Sequence, residues 1–371
     1  MHGGRSPQAR RYPFIAPCAA QRHRLCEHPH AHPIDEVSRL HLLKNLLIWI
    51  VLPLFALVAL AACSPLRTLN ALASAGSGYI ATPDVAYGSL AAQKLDIYTP
   101  SSTPPPPGGW PLVVFFYGGS WNSGARADYK FVGSAMAARG VLVLVADYRL
   151  YPEVRYPDFL NDSALALAWG FSQAARLDAN PKRVFVMGHS AGGYNAAMLA
   201  LDPRWLAPTG HAPTELAGWI GLAGPYDFFP TDNFDARPVF FHPNYPARAQ
   251  PIEFPTANAP RSFLAAPVKD ALVSPTRSTQ SLAAKLDAAG APVSLKMYEH
   301  ASHTTLIGAF SPPLRWVAPV LDDVTRSSRP RRPRADELLV RRRLDEATCG
   351  RQPQAERTTL WSPQASRPCP H

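Results

Sequence analysis

Hydrophobic residues between positions 95 and 324 follow two alternating patterns. Continuous apolar runs of strand length lie at 111–117 (PLVVFFY), 141–147 (VLVLVAD) and 183–187 (RVFVM). Runs that are apolar on both faces are typical of central strands in a parallel sheet that is covered by helices. Apolar positions spaced three and four residues apart predict a helix at 158–177 between two of these strands.

The same alternation continues towards the end of this region. We predict further strands at 95–98, 217–222, 262–266 and 293–298, and further helices at 194–201, 276–289 and 314–324. Strands that alternate with helices indicate an α/β fold, with a mostly parallel, doubly wound sheet and helices on both faces.

Composition divides the chain into four segments. Residues 1–36 are interpreted as mispredicted upstream sequence or a disordered extension, and 37–63 as a signal or membrane segment. Residues 64–325 form the predicted catalytic domain, which is long enough to bury a core. Residues 326–371 are rich in Arg, Pro, Ser and Gln and are predicted to be a basic disordered tail.

Charge and cysteine content separate the central segment from the two ends. The chain has a formal net charge of +10, but residues 64–325 contain equal numbers of basic and acidic side chains. The predicted domain therefore gives no electrostatic reason to expect a nucleic-acid partner. None of the five cysteines lies within 64–325, which excludes a disulfide framework or a thiol nucleophile there.

The N-terminal part contains a 17-residue apolar run at 46–62. Lys44 lies shortly before this run, and Cys63 directly follows it. A basic stretch, an apolar stretch and small residues before a break are typical of export signals. Leu60-Ala61-Ala62-Cys63 resembles the lipobox of bacterial lipoproteins, and this resemblance implies cleavage before Cys63 and lipid attachment to it. We therefore expect a lipid-anchored protein of the bacterial cell envelope that faces the periplasm. An uncleaved inner-membrane anchor at 46–62 and a cysteine placed there by chance are the alternatives.

The sequence Gly188-His189-Ser190-Ala191-Gly192 has the form G-x-S-x-G. It directly follows the predicted strand 183–187 and opens the helix that follows. A sharp turn between a strand and a helix is the setting that exposes a nucleophilic serine above a sheet. We therefore predict Ser190 as a nucleophile, whereas a purely structural Gly/Ser turn is the alternative.

A serine hydroxyl needs a base, and in this arrangement the chain order is serine, acid, histidine. His300 and His303 both follow the strand 293–298, and we favour His303. Asp270 follows the strand 262–266 and is the preferred acid, with Asp227 as its competitor. The acid would hold the imidazole in the correct tautomer and stabilise the imidazolium.

Adjacent glycines follow the strand 111–117 in Tyr117-Gly118-Gly119-Ser120-Trp121. Glycines at such a position let backbone N–H groups turn towards an oxyanion, and the N–H of the residue after the nucleophile supplies another donor. Gly118, Gly119 and Ala191 are therefore the predicted oxyanion hole. A plain Gly-Gly turn is the alternative.

The motifs YGGSW and GHSAGG together resemble the hormone-sensitive-lipase-like esterases of the α/β-hydrolase superfamily and the related feruloyl-esterase and arylformamidase-like branch. The similarity extends from about Val85 to Val324 and implies Ser190, Asp270 and His303 as the triad. Two departures stand out. Tyr117 replaces the usual His of H-G-G-x-W, and Ala266-Pro267 replaces the usual His-Gly ahead of the acid.

The resemblance implies a serine carboxylesterase that cleaves a small-molecule ester through an acyl-enzyme. An arylformamidase-like hydrolase and a non-catalytic envelope-binding protein are the alternatives. Aromatic residues in 227–260 would either form an apolar wall for a short or aromatic acyl group or pack that loop down. We expect no metal and no organic cofactor, and the sequence leaves the oligomeric state open.

Overall fold

The structure, a computed structural model, describes residues 41, 43–55, 68–70, 78–102 and 104–328. The chain divides into two units, Met1–Cys63 and Ser64–His371. In the first unit the described residues include a π-helical turn at Leu47–Val51. No helix among the described residues combines the length and the apolar character needed to cross a bilayer. Cys63 and the segments 1–36 and 329–371 lie outside the described residues.

The described residues of the second unit contain one eight-stranded sheet with the order β1-β2-β4-β3-β5-β6-β7-β8. β1 pairs antiparallel with β2 and β2 antiparallel with β4, and every other pair is parallel. The strands are β1 Tyr79–Ala86, β2 Lys94–Pro100, β3 Trp110–Phe116, β4 Leu142–Ala146, β5 Ala179–His189, β6 Gly218–Leu222, β7 Ser262–Pro267 and β8 Val293–Tyr298. The predicted α/β class with a mostly parallel sheet is confirmed.

Helices cover both faces of this sheet. Val114 of β3 lies against Gly170 on one face, whereas Phe115, the next residue, contacts the ring of Tyr129 on the other. β3 and β4 are buried along their whole length, as their uninterrupted apolar runs predict. The α-helices are α1 Lys130–Ala137, α2 Asp158–Gln173, α3 Ala191–Leu201, α4 Ser281–Ala288, α5 His303–Gly308 and α6 Val320–Ser327.

Besides shifts of a few residues at the ends of other elements, the structure differs from the predicted elements in the following ways. β1 was not predicted, because this edge strand is mostly exposed and has no apolar alternation. α1 was also not predicted, because its eight residues are nearly all buried and show no polar face. The last helix begins at Val320, not at 314, because Pro319 precedes it and prolines interrupt the preceding stretch.

The parallel strands bring the predicted site segments to one edge of the sheet. β3 ends at Phe116 before the Gly-Gly turn, and β5 ends at His189 before Ser190. β7 ends at Pro267 and β8 at Tyr298, ahead of Asp270 and His303. Since carboxyl ends of parallel strands meet at the same edge, four loops converge there, which is where ligands bind in open α/β sheets.

Candidate active site

Ser190 occupies a sharp turn between β5 and α3. Its backbone has φ 55° and ψ −121°, a conformation that is unfavourable for a residue with a side chain. The Ser190 N–H donates to the Leu222 carbonyl at 2.9 Å, and the Ser190 carbonyl accepts from the Tyr194 N–H at 3.1 Å. These bonds to β6 and to α3 hold the strained residue, as the predicted nucleophile turn requires.

Two glycines permit the close approach of strand and helix at this turn. A Cβ atom on Gly188 would lie 1.9 Å from the Gly192 carbonyl oxygen, and a Cβ on Gly192 would lie 2.1 Å from the Phe116 carbonyl oxygen. Such distances are far inside van der Waals contact, and the opposing atoms belong to the backbone. Glycine at both positions is therefore a steric requirement of this junction.

The structure brings His303 and Asp270 together. His303 Nδ1 lies 2.7 Å from Asp270 Oδ2, and both side chains are almost completely buried. The N–H groups of Leu272 and Val273 donate to Asp270 Oδ1 at 2.8 and 3.1 Å. Burial alone would raise the pKa of Asp270, but the bonds from His303 and these two N–H groups lower it below its usual value.

His303 is the first residue of helix α5. Ser302 caps this short helix, since its hydroxyl accepts from the Thr305 N–H. This helix was not among the predicted elements, because six helical residues are too few to give a periodic signal. The cap fixes where the helix begins and therefore where the imidazole projects.

The two competing residues, His300 and Asp227, do not take part in this pair. His300 is exposed, and it makes no contact with a carboxylate among the described residues. Asp227 forms an ion pair with Arg277 at 3.1 Å and not with a histidine. Asp270 and Ser190 line the same cavity. The roles of Ser190, His303 and Asp270 in catalysis remain predictions that this geometry supports.

The predicted oxyanion loop has an unusual backbone over three consecutive residues. Gly119, Ser120 and Trp121 all have positive φ values, of 121°, 50° and 59°. Within the described part of the chain, no acceptor bonds to the N–H of Gly119 or of Ala191. These two N–H groups are therefore free to donate to an oxyanion beside Ser190.

Tyr117, which stands where the resembling family usually has His, is held by other tyrosines. Its ring stacks between Tyr148 and Tyr129, with centroids 4.8 and 5.6 Å away. The Tyr148 hydroxyl donates to the Tyr117 carbonyl at 2.8 Å. Burial raises the pKa of Tyr117, so it stays a neutral phenol. The loop is thus anchored without a histidine.

Trp121 anchors the other end of this loop. Its Nε1 donates to Asn195 Oδ1 at 2.9 Å, and the Asn195 amide nitrogen lies 3.2 Å from Ser163 Oγ. Asn195 belongs to α3, the helix that follows Ser190, so this bond fixes the loop directly to the helix behind the predicted nucleophile. The bond could not be predicted from the sequence, because a lone asparagine in an apolar helix gives no local signal of its partner.

A cavity of about 710 Å³ opens above Ser190. Some aromatic residues of 227–260 line this cavity, and others pack in the core. Phe228 and Phe234 line the cavity, and Phe234 is 78 % exposed. Phe240 is fully buried and packs on Trp121 with ring centroids 4.8 Å apart. The described residues contain no cluster of His, Cys, Asp and Glu that could hold a metal.

The curated proteins to which this chain is similar in sequence include several esterases. LipC, an esterase of Mycobacterium tuberculosis, is 31 % identical over 229 residues, which cover 57 % of this chain and 56 % of LipC. Isoprenylcysteine alpha-carbonyl methylesterase ICME of Arabidopsis thaliana is 27 % identical over 161 residues, 42 % of this chain and 37 % of that protein. The chain spans about half the length of the curated relatives it matches.

Solved structures show the same fold. A bacterial heroin esterase aligns with a TM-score of 0.55 at 22 % identity, covering 71 % of this chain and 90 % of that one. The carboxylesterase EstE1 from a metagenomic library aligns with a TM-score of 0.55 at 17 % identity, covering 71 % and 95 %. The BD-FAE family model matches residues 95–286, more than half of the chain. With its α/β-hydrolase fold, the chain therefore belongs to the BD-FAE family.

Proposed function

We propose that this protein is a serine carboxylesterase that hydrolyses a carboxylic ester through Ser190, His303 and Asp270. The observation that carries the proposal is the 2.7 Å bond between His303 Nδ1 and Asp270 Oδ2, formed beside a cavity whose floor contains Ser190 in a strained turn. The similarity to LipC and ICME supports ester hydrolysis as the reaction.

The first half of the reaction forms an acyl-enzyme. Ser190 Oγ attacks the ester carbonyl carbon while His303 Nε2 takes the hydroxyl proton, and Asp270 stabilises the resulting imidazolium. The carbonyl oxygen becomes an oxyanion that accepts bonds from the N–H groups of Gly119 and Ala191, with Gly118 as the third predicted donor. His303 then returns the proton to the alkoxide, and the alcohol leaves.

The second half releases the acid. Water attacks the acyl carbon, and His303 takes a proton from it. The tetrahedral intermediate collapses, the bond to Ser190 Oγ breaks, and His303 returns the proton to the serine. Neither half requires a metal ion or an organic cofactor.

Hydrolysis of p-nitrophenyl butyrate by the full chain, measured beside Ser190→Ala, tests this function. We expect turnover by the unaltered chain, its loss in the variant, and labelling of Ser190 by a fluorophosphonate probe. Labelling without ester turnover, together with rapid cleavage of an N-formyl arylamine, would support the formamidase alternative. Absence of both labelling and turnover in a folded chain would contradict serine catalysis and support a binding role.

We further propose a short-chain or aromatic acyl group for the ester. Phe228 and Phe234 supply apolar surface to a cavity that also contains Asn233, whose amide nitrogen lies 3.0 Å from Ser120 Oγ. The rates for p-nitrophenyl acetate, butyrate, benzoate and palmitate test this proposal. Rates that increase up to palmitate would contradict it.

We also propose that the chain is a lipoprotein anchored through Cys63. The support is the apolar run 46–62 before Cys63, whose described part exposes Trp49 and Phe55. Mass spectrometry of the protein purified from bacterial membranes tests this assignment. An N-terminal diacylglyceryl cysteine is expected, and its absence from membrane-bound protein that retains 46–62 would favour the uncleaved anchor.

A further inference from the structure

His189, the residue before the proposed nucleophile, is the last residue of β5 and is 5 % exposed. Its Nε2 lies 3.0 Å from the backbone carbonyl oxygen of His303. Because a carbonyl oxygen can only accept a hydrogen bond, Nε2 must carry the proton. His189 occupies a position of G-x-S-x-G at which the motif specifies no residue type. It nevertheless contacts the proposed base, His303.

The ring of His189 also lies against the ring of His303, with centroids 4.9 Å apart. Burial, with a smaller contribution from the nearby His303, lowers the pKa of His189 to about 3. His189 therefore stays uncharged at neutral pH and does not repel the imidazolium that forms on His303 during the reaction. Its Nδ1 is buried without a hydrogen-bond partner among the described residues.

The backbone bond connects the two halves of the proposed catalytic pair. His189 is covalently next to Ser190, and its side chain bonds to the main chain of His303 in the first turn of α5. Asp270 holds the same imidazole from its Nδ1 side at 2.7 Å. His303 is thus fixed at two points, its ring by Asp270 and its backbone by His189.

We propose that His189 is a positioning residue, which sets the location of His303 relative to Ser190 through the Nε2–H bond to the His303 carbonyl. This inference rests on the proposed function of Ser190 and His303. Its physical basis is that the base must lie within hydrogen-bond reach of the serine hydroxyl, and that displacement by about 1 Å can cost roughly 10²-fold in rate.

His189→Gln and His189→Asn form the decisive pair of variants. The Gln side-chain nitrogen reaches the position of Nε2 and can donate to the same carbonyl, whereas the Asn nitrogen reaches only the position of Nδ1. We expect kcat to fall by about 10²-fold in His189→Asn with little change in KM. In His189→Gln we expect kcat to be restored to within about threefold of the unaltered chain.

Val186→Ala is the matched control, because Val186 is fully buried in the same strand. It is expected to lower the melting temperature and to leave kcat unchanged. The proposal is overturned if His189→Asn retains full kcat. It is also overturned if His189→Gln loses as much as His189→Asn, or if Val186→Ala loses kcat to the same extent at an equal loss of stability.

A second measurement separates this proposal from the function on which it rests. The proton on His303 Nδ1, bonded to Asp270, gives a far-downfield proton NMR signal that does not depend on turnover. We expect this signal in the unaltered chain and in His189→Gln, and its loss or broadening in His189→Asn. An unchanged signal in His189→Asn overturns the positioning role, whereas a chain without esterase activity but with the expected signals contradicts only the proposed function.

Discussion

Asp270 and Asp227 lie in the same cavity, but they have different bonding partners. Asp270 is held by one imidazole and two backbone N–H groups, and its side chain is 1 % exposed. Asp227 pairs with Arg277, both side chains being partly exposed, and such pairs contribute little to stability. Asp270, and not Asp227, is therefore the carboxylate that holds the tautomer and orientation of the His303 ring.

Replacing Asp270 by Asn should lower kcat for p-nitrophenyl butyrate by about 10⁴-fold, because the amide no longer favours the Nδ1–H tautomer of His303. Asp227→Asn, in the same cavity, should change kcat by less than about threefold. Steady-state kinetics of the two variants checks this. Equal losses would show that the acid had been assigned to the wrong residue.

A second prediction at the residue scale concerns the effect of His189 on how the free energy of unfolding depends on pH. Its pKa is about 3 in the folded chain and about 6.5 when unfolded. Between these values the unfolded state binds a proton that the folded state does not. The free energy of unfolding therefore falls with decreasing pH below about 6.5, by up to about 1.4 kcal/mol per pH unit from this group.

Urea unfolding of the full chain between pH 7 and pH 5 measures this slope. His189→Gln, which cannot take up the proton, should show a smaller dependence of unfolding free energy on pH than the unaltered chain. Identical slopes for the two proteins would mean that His189 is protonated equally in the folded and unfolded states.

The strands β3 and β5 and the helix α3 approach one another so closely that only glycine, which has no side chain, fits at their junction. The Gly192 backbone lies against the carbonyls at the end of β3, and Gly188 lies against the first turn of α3. This approach puts the proposed nucleophile Ser190 beside the predicted oxyanion loop, since a Cβ on Gly118 would lie 2.9 Å from Ser190 Cβ. The close packing of three elements therefore determines the geometry of the site.

Gly188→Ala should destabilise the protein by about 4 kcal/mol or more, because its Cβ would overlap the backbone of Gly192. Gly193→Ala is the control from the same turn. Its Cβ would come no closer than 3.1 Å to another atom, the Gly224 Cα, so we expect a loss of about 1 kcal/mol. Thermal or urea unfolding compares them, and a tolerated Gly188→Ala would contradict the proposed steric requirement.

Another prediction at the scale of elements concerns the hydrogen bond that Tyr148 makes to the predicted oxyanion loop. Tyr148→Phe removes the 2.8 Å bond to the Tyr117 carbonyl but leaves the stacked rings in place. A buried carbonyl without its donor costs about 1–3 kcal/mol. We expect that loss in unfolding free energy and a lower kcat, since the loop carries the Gly119 donor. An unchanged kcat would show that Trp121 alone fixes the loop.

At the scale of the whole molecule, the end of the folded domain lies beyond the predicted limit at 325. That limit falls inside α6, which continues through Ser327. α6 is attached to the sheet by the Tyr298 hydroxyl, which donates to Asp323 at 2.8 Å, and by Arg183, which donates to the Ser328 carbonyl at 2.9 Å. Val320, Leu321 and Val324 bury its apolar face.

A fragment of residues 64–328 should therefore fold and show the proposed ester-hydrolysing activity at the level of the full chain. A fragment of residues 64–319, which lacks α6, should be strongly destabilised, because it exposes the apolar surface that α6 covers and removes the partner of Tyr298. Thermal unfolding compares the two fragments. Equal melting temperatures would mean that α6 is not part of the folded domain.

The sequence predicted most of the central elements, and the reason is local. Uninterrupted apolar runs gave β3 and β4 to within a residue at each end, and β8 was predicted with the bounds it has. β1 and α1 escaped prediction, because exposed edge strands and wholly buried helices show no alternation between polar and apolar positions.

What the sequence determined by itself was the α/β class and the identity of the residues that meet at the site. Apolar runs and glycine spacing are properties of short segments, and parallel strands bring the residues after each strand to one edge. Which of these residues form hydrogen bonds with one another was decided only by the tertiary structure. Asp270 rather than Asp227 meets His303, Tyr117 is held by Tyr148, and His189 reaches the His303 carbonyl. These contacts join residues distant in the chain, and their directions depend on packing that no local pattern records.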